Sequence, residues 1–415
     1  MADMIFAAQN GRIIPKEDKI FGISNRAKAM IAKEGKEKVI NATIGALLDD
    51  AGNLIVLSSV NDVFKTLSPV EYAEYAPIAG TAGFKEAVKK DLFRDFVPTR
   101  FVEAVATPGG TGAIRNAISN YSNFGDKVLV ADWFWAPYNT IANEQGRSLE
   151  KFEFFNEKGS FNCDSFKAKI EEILATQERL VIILNTPSHN PTGYAITAED
   201  WTGIVDILNG VNSSKKITLL ADAAYADFAD DDENESRMFL TYLEKLADHI
   251  LPIVAHSLSK SYTLYGLRCG AMICMAKTEE VAAEFKSACE YSSRGSWSNC
   301  PRAPQVILEK IYSDPELLRK VMDERKGYRD MLLERGAAFT EAAKEVGLEM
   351  VPFHAGFFAT IPASNPDEIS AQLEKEGIFT VPLAKGVRVS LASVSAEKCK
   401  TVAYAIKRVM NELSK

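Results

Sequence analysis

The sequence predicts an α/β fold built on a mostly parallel sheet, and three observations predict it. Short, continuous apolar runs at 128–130, 180–184, 217–221 and 250–255 have the length and composition of strands buried on both faces. Stretches with helical periodicity lie between them, at 112–121, 165–176, 198–209 and 237–247. The chain has 415 residues, 47% of them hydrophobic, enough for a large core and for roughly two or three domains. Strands alternating with helices imply parallel crossovers, and such sheets gather functional groups at the carboxyl ends of their strands.

Taken in order, residues 21–34 read as a helix. Ile40-Asn41-Ala42-Thr43-Ile44-Gly45 reads as a short strand ending in a glycine turn. Residues 72–81, with Tyr75, Pro77 and Gly80, read as a loop, and 83–93 as a helix. A further apolar run, 271–276, follows the 250–255 strand. The acidic stretch 227–235 reads as a solvated loop with no assigned role. Residues 314–346 form one long amphipathic helix carrying Leu317, Val321, Leu332 and Phe339. The short strands and helices after it suit a smaller α+β unit. The expected division is 1–50 as an N-terminal arm with part of the small domain, 51–313 as the large domain, and 314–415 as the small C-terminal domain.

A net charge of −8 argues against a nucleic-acid partner. No apolar run reaches membrane-spanning length. Asp3 and the lack of a basic start with an apolar core speak against a signal peptide in residues 1–11. Six cysteines without C-x-x-C pairs suggest reduced thiols in the cytoplasm. The four histidines show no metal spacing, and His249 and His354 are expected to pack or face water.

Ala255-His256-Ser257-Leu258-Ser259-Lys260-Ser261-Tyr262 sets a lysine between two apolar runs, with Arg268 eight residues on. A lysine withdrawn from water has a lowered pKa, and its neutral amine attacks carbonyls to form a Schiff base. Ser257, Ser259 and Arg268 offer hydroxyls and a fixed charge that suit a phosphate. A lysine imine beside a phosphate is the chemistry of pyridoxal 5′-phosphate; a loop lysine in water is the alternative. Thr107-Pro108-Gly109-Gly110-Thr111-Gly112-Ala113 opens a helix whose free N–H groups can face an anion. It is neither a P-loop nor a dinucleotide fingerprint, since no Gly-Lys-Ser/Thr follows and Arg115 stands where a third glycine belongs. A plain tight turn is its alternative.

Asn190 precedes Pro191 at a strand end and is kept out of the helical region, so its amide can face a cleft. His189 beside it reads as a packed neighbour. Asp222 ends the 217–221 run, where a buried carboxylate needs a cation or several donors. A pyridinium nitrogen would serve, with the Tyr225 hydroxyl nearby. Within Trp133-Phe134-Trp135-Ala136-Pro137-Tyr138 an aromatic at a strand end can stack on a planar ring. Arg388 lies in a short strand and its forked donors match a carboxylate, an edge-strand arginine in water being the alternative. Arg294 is expected on a loop, 291–297.

In this order, Gly-Gly-Thr-Gly-Ala at 109–113, Trp135, Asn-Pro-Thr-Gly at 190–193, Asp222-x-x-Tyr225, Ser257-x-Ser259-Lys260, Arg268 and Arg388 resemble the fold-type I, class I PLP-dependent aminotransferases. The match is to the aspartate and aromatic amino acid branch and runs from Asn41 to Arg388. The resemblance implies a large domain with a mostly parallel central sheet flanked by helices, plus a smaller α+β domain. It implies that Lys260 forms the Schiff base with PLP and moves the substrate's α-proton. Asp222 would pair with the pyridinium nitrogen, Tyr225 and Asn190 with the ring oxygen, and Trp135 with the ring face. Gly110, Thr111, Ser257 and Arg268 would hold the phosphate, and Tyr75 would reach the phosphate of the other subunit in a homodimer with shared sites. Arg388 and Asn190 would grip the α-carboxylate, with Ile44 and Gly45 closing over it. Arg294 would bind a distal carboxylate from the neighbouring subunit. The implied reaction is ping-pong transamination with 2-oxoglutarate, from aspartate or an aromatic amino acid. Another PLP reaction, such as a C–S β-lyase, and a non-catalytic PLP-binding regulatory module are the alternatives. Two departures from the family pattern stand out: Tyr138 where a histidine often lies behind the aspartate, and Ser296 where dicarboxylate enzymes tend to have asparagine.

Overall fold

The computed structural model describes residues 6–8 and 19–414. The stretch read for a leader, residues 1–11, lies mostly outside them. The strands are β1 (Ile40–Asn41), β2 (Phe101–Thr107), β3 (Lys127–Ala131), β4 (Ser148–Phe152), β5 (Arg179–Asn185), β6 (Lys216–Asp222), β7 (Ile250–Ser257), β8 (Gly270–Ala276), β9 (Phe358–Pro362), β10 (Ile378–Phe379), β11 (Val381–Pro382) and β12 (Gly386–Ser390). Seven form one sheet in the order β2-β8-β7-β6-β5-β3-β4. All its pairings are parallel except those of β8, which runs against both β7 and β2.

The apolar runs are continuous because both faces of this sheet are covered. In β5, Leu180, Ile182 and Leu184 enter one core while Val181 and Ile183 enter the core on the opposite face. β6 divides in the same way, Ile217 and Leu219 against Leu220. β4 was not legible as a strand: it is the sheet's edge, and its Ser148, Glu150 and Lys151 are the charged and polar residues that guard edges.

A second core surrounds the antiparallel sheet β11-β12-β9 and the helices Pro315–Glu345, Pro366–Lys375 and Ala396–Leu413. The long helix matches expectation to within a residue at each end. β1 pairs in parallel with β10 and is shorter than the expected 40–45 strand. Beyond Asn41 the main-chain carbonyls of Thr43 and Gly45 accept from Arg388 and Lys260 instead of a ladder partner.

Four other expectations are corrected. Tyr72 lies in the helix Pro69–Ala73, started by a Ser68/Glu71 capping box. The 237–247 helix shrinks to Phe239–Leu243, because Arg237 is drawn away to Asp227 and to the Leu92 carbonyl. Arg294 stands on the helix Glu279–Ser296, not on a loop. The acidic stretch is not a solvated loop at its start: Asp227 is 0% exposed. Arginines from distant segments converge there and need counter-charge. Arg237 Nη2 lies 2.6 Å from Asp227 Oδ1, and Arg325 Nη1 lies 3.3 Å from Oδ2. Arg94 pairs with Asp91 at 2.8 Å, and Arg329 with Glu233 at 3.1 Å. His256 and Tyr312 also bond Asp91, at 2.8 and 2.6 Å.

Candidate active site

Parallel pairing brings strand ends side by side. Asn185 is the register partner of Asp222, and Asp222 of Ala255. β7 then runs into a single helical turn, Leu258–Ser261, begun by Ser257, whose hydroxyl accepts from the Ser259 N–H at 3.3 Å. That turn carries Lys260. The chain comes back through Arg268, held at φ 49°, which aims its guanidinium at Ser259 Oγ, 2.9 Å away. Opposite starts the helix Gly109–Tyr121, with Gly109 at φ 69°. Its first N–H groups have no partner within the helix.

A cavity of about 460 Å³ joins these elements. Its lining includes Gly110, Thr111, Ser257 and Arg268, then Trp135, Asp222, Tyr225 and Lys260, and also Gly45 with the bonded pair Asn190 and Arg388. Lys260 Nζ donates to the Gly45 carbonyl at 2.7 Å. Burial first, then the charges of Arg268 and Arg388, bring its pKa down to about 8, with Asp222 opposing. Lys260 is therefore not the solvated loop lysine of the alternative reading. Burial pushes the Asp222 carboxyl up, against the pull of Tyr138 and the Ala224 N–H. Arg388 is 4% exposed, so the solvated edge-strand reading fails as well. It stands over the Phe358 ring at 4.2 Å and donates to Thr43 O at 2.9 Å and Asn190 Oδ1 at 3.2 Å. Burial lowers its pKa to about 10, with Tyr225 opposing. Asn190 Nδ2 donates onward to Tyr225 Oη at 3.4 Å.

Two expected site residues are not in the cavity. Tyr75 is 84% exposed, and Arg294 is exposed and donates to Ser298 Oγ at 2.6 Å. His189 packs against Phe154, and burial brings its pKa down to about 3. Sequence reasoning missed Asn185, Tyr265 and Phe358. Asn185 fastens two site residues, donating to Asp222 O at 2.8 Å and accepting from the Asn190 N–H at 2.5 Å. Its strand-end position beside Asp222 was the available signal. The Tyr265 ring lies 4.9 Å from Lys260 Nζ, and no pattern in the sequence marked it.

The sequence profile described as aminotransferase class I and II matches residues 37–406. The chain belongs to this family. It is an aminotransferase that acts on amino and oxo acids, and the family's cofactor is pyridoxal 5′-phosphate. The chain is 38% identical to an aminotransferase of Anaerococcus prevotii whose crystal structure superposes with a TM-score of 0.95, covering 98% of this chain and 100% of that one. It is 27% identical to the mitochondrial aspartate aminotransferase of Gallus gallus, over 94% of this chain and 92% of that protein. The fold is shared with an aromatic-amino-acid aminotransferase of Burkholderia pseudomallei, a structure covalently bound to pyridoxal phosphate (23% identity, TM-score 0.79, 98% and 100% coverage). No helix among the described residues is long and apolar enough to cross a membrane.

The pocket's donor set fits PLP. Helix-start N–H groups, serine hydroxyls and a guanidinium converge in it, the donors a phosphate takes. Behind the cradle there is no room for side chains at two glycines. A Cβ on Gly270 would meet His256 O at 2.3 Å and the Gly109 carbonyl carbon at 2.9 Å, and one on Gly109 would meet Arg268 Nη2 at 2.6 Å. The buried Arg388 Nε has no hydrogen-bond partner among the described residues.

Proposed function

We propose that the chain moves the α-amino group of L-aspartate to 2-oxoglutarate by a ping-pong mechanism, with Lys260 as the amine that holds the cofactor and as the proton-transfer base. An aromatic L-amino acid is the second donor reading. One observation carries this: a single cavity is lined by the Lys260 amine, the Asp222 carboxyl and the Arg388 guanidinium. When bound, PLP supplies an electron-withdrawing ring that takes up the electron pair left as a bond at the substrate's α-carbon breaks.

The chain's own residues do the rest. Gly110, Thr111, Ser257 and Arg268 anchor the phosphate, Trp135 walls the ring, and Asp222 offers its carboxylate to the ring nitrogen. Tyr225 and Asn190 direct polar hydrogens at the ring oxygen. Arg388 pairs with the substrate α-carboxylate, and Asn190, already bonded to it at 3.2 Å, fixes the angle. Both the amino acid and the oxo acid carry that carboxylate, so both use one seat in turn. With a pKa of about 8, roughly one Lys260 amine in ten is neutral at pH 7, and the neutral amine accepts the α-proton. Ile44 and Gly45 cover the substrate.

The names of the Gallus gallus and Dictyostelium discoideum relatives, 27% and 26% identical, support aspartate. The apolar wall of Ile44, Leu54 and Ile114 supports an aromatic donor. Tyr75 and Arg294 lie outside their own chain's cavity, which supports a homodimer in which each reaches the partner's site. Exposed Val70 and Tyr72, near Tyr75, give such a dimer apolar surface to cover. The six free cysteines suit a reducing cytoplasm. The core around β9, β11 and β12, which draws mainly on residues 40–47 and 332–409 with Ile55, Tyr225 and Phe228 added, supports domain limits near 50/51 and 313/314.

Borohydride reduction of the holoenzyme followed by peptide mapping tests the reading: the pyridoxyl group is expected on Lys260, and a label elsewhere overturns it. Mixing inactive Lys260→Ala chains with Arg294→Ala chains, assayed on aspartate, tests the dimer, since hybrids regain one intact site only if Arg294 acts across the interface.

A further inference from the structure

Asp91, Asp200, Asp222 and Asp227 are the buried carboxylates among the described residues, and Asp200 is engaged in the capping box that starts the helix Ala198–Asn209. Asp91 and Asp227 are each surrounded by arginines, while Asp222 has no ion pair among the described residues. Its Oδ2 accepts from the Tyr138 hydroxyl at 2.5 Å. Its Oδ1 accepts only a long bond, 3.4 Å, from the Ala224 N–H. Tyr138 is 1% exposed and begins the helix Pro137–Glu144. Its ring meets Trp135 edge-on, with centroids 5.4 Å apart and planes at 87°. One side chain therefore touches both the carboxylate at the back of the cavity and the aromatic wall beside it.

We propose that Tyr138 is a positioning residue that keeps Asp222 ionised and aimed, saturating Oδ2 so that Oδ1 is left to face a cationic ring nitrogen, and that also sets the plane of Trp135. This rests on the reading that Asp222 pairs with the cofactor's ring. The chemistry favours a phenol for the task. Burial and the adjacent Asp222 push the Tyr138 hydroxyl well above its usual range, so it stays a neutral donor wherever the enzyme works. An imidazole in that place could itself take up a proton, which a phenol does not. Burial drives the Asp222 carboxyl towards its neutral form, and the Tyr138 hydrogen bond is the largest of the forces opposing it. Without that donor a larger fraction of Asp222 is protonated at a given pH.

The test removes one oxygen. Tyr138→Phe keeps the ring against Trp135 and deletes the donor. PLP binding to the apoenzyme is measured by equilibrium titration from pH 5 to 9 for wild type, Tyr138→Phe and Asp222→Ala. Isotope-edited infrared spectroscopy of the apoenzymes follows the Asp222 carboxyl directly. A hydrogen bond to a charged group predicts roughly ten- to hundredfold weaker PLP binding by Tyr138→Phe, with the loss deepening as pH falls. The carboxyl should protonate at a higher pH than in wild type. The infrared signal reports the carboxyl even if the variant melts earlier. Superimposable affinity curves and an unmoved carboxyl titration in Tyr138→Phe, with PLP lost in Asp222→Ala, overturn the role of Tyr138 alone. Wild-type PLP affinity in Asp222→Ala overturns the ring-nitrogen reading beneath it.

Discussion

Replacing Asp227 with asparagine keeps its shape and removes its charge. Three arginines lose a shared partner: Arg237 at 2.6 Å, Arg325 at 3.3 Å and Arg94 at 3.5 Å. At 3.3 Å and an effective dielectric of about 20, a single pair attracts by about 5 kcal/mol. Desolvation offsets much of this, and breaking a buried pair from one side costs about 3–5 kcal/mol. For a chain of 415 residues, an unfolding entropy of about 0.9 kcal/mol/K turns that into a melting point lower by about 3–6 °C. The sign with pH follows from the carboxyl. Burial alone would raise its pKa, but Arg325, then Arg237 and Arg94, hold it well below the ordinary range. Its stabilisation is therefore complete above the unfolded value of about 3.9 and fades as pH falls below it. Scanning calorimetry of wild type and Asp227→Asn at pH 7 and at pH 3 to 4 measures both effects. A gap under 1 °C at pH 7, or one that stays constant down to pH 3, refutes the reasoning.

Three further outcomes are expected. Capture of PLP by the apoenzyme should accelerate as pH rises through about 8, where Lys260 loses its proton; stopped-flow absorbance measures this, and a rise centred near the ordinary lysine value of about 10.4 would count against the burial argument. Gly270→Ala should push a Cβ into the main chain at His256 and Gly109. Overpacking of about 1–3 kcal/mol would then weaken cofactor binding by about five- to 150-fold, read by fluorescence titration. Arg388→Ala should lower kcat/KM for every donor by roughly 10²- to 10³-fold, while Arg294→Ala should do so for dicarboxylates above all. Equal losses on aspartate and phenylalanine in Arg294→Ala would remove the case for a distal carboxylate.

The parts legible in the sequence were those whose cause is local. β5, β6 and β7 showed as apolar runs because both of their faces are buried, and Asp222 and Lys260 showed because charge at the end of such a run needs a reason. What stayed hidden depended on distant partners. Asp227 looks like its solvated neighbours in sequence, yet its arginines come from positions 94, 237 and 325. Ser-Ser-Arg-Gly-Ser suggests a loop, but Ser293 is buried and accepts a hydrogen bond from Asn116 at 3.2 Å, which carries the helix on to Ser296. The Ser68/Glu71 capping box, by contrast, has a purely local cause and is readable in the sequence.

Behind the Gly110 main chain that lines the cavity, Gly270 packs against the backbone of His256 and Gly109, where a methyl group on Gly270 would strike the His256 carbonyl, and Gly109 holds a positive φ of 69°. Drift by single substitutions at Gly109 or Gly270 cannot retune this support; it can only break it. Adaptation to a new substrate has more room on the outer lining, at the half-buried Ile44 and the exposed Leu54. The protein is thus rigid where it meets what every turnover shares and open to revision where substrates differ.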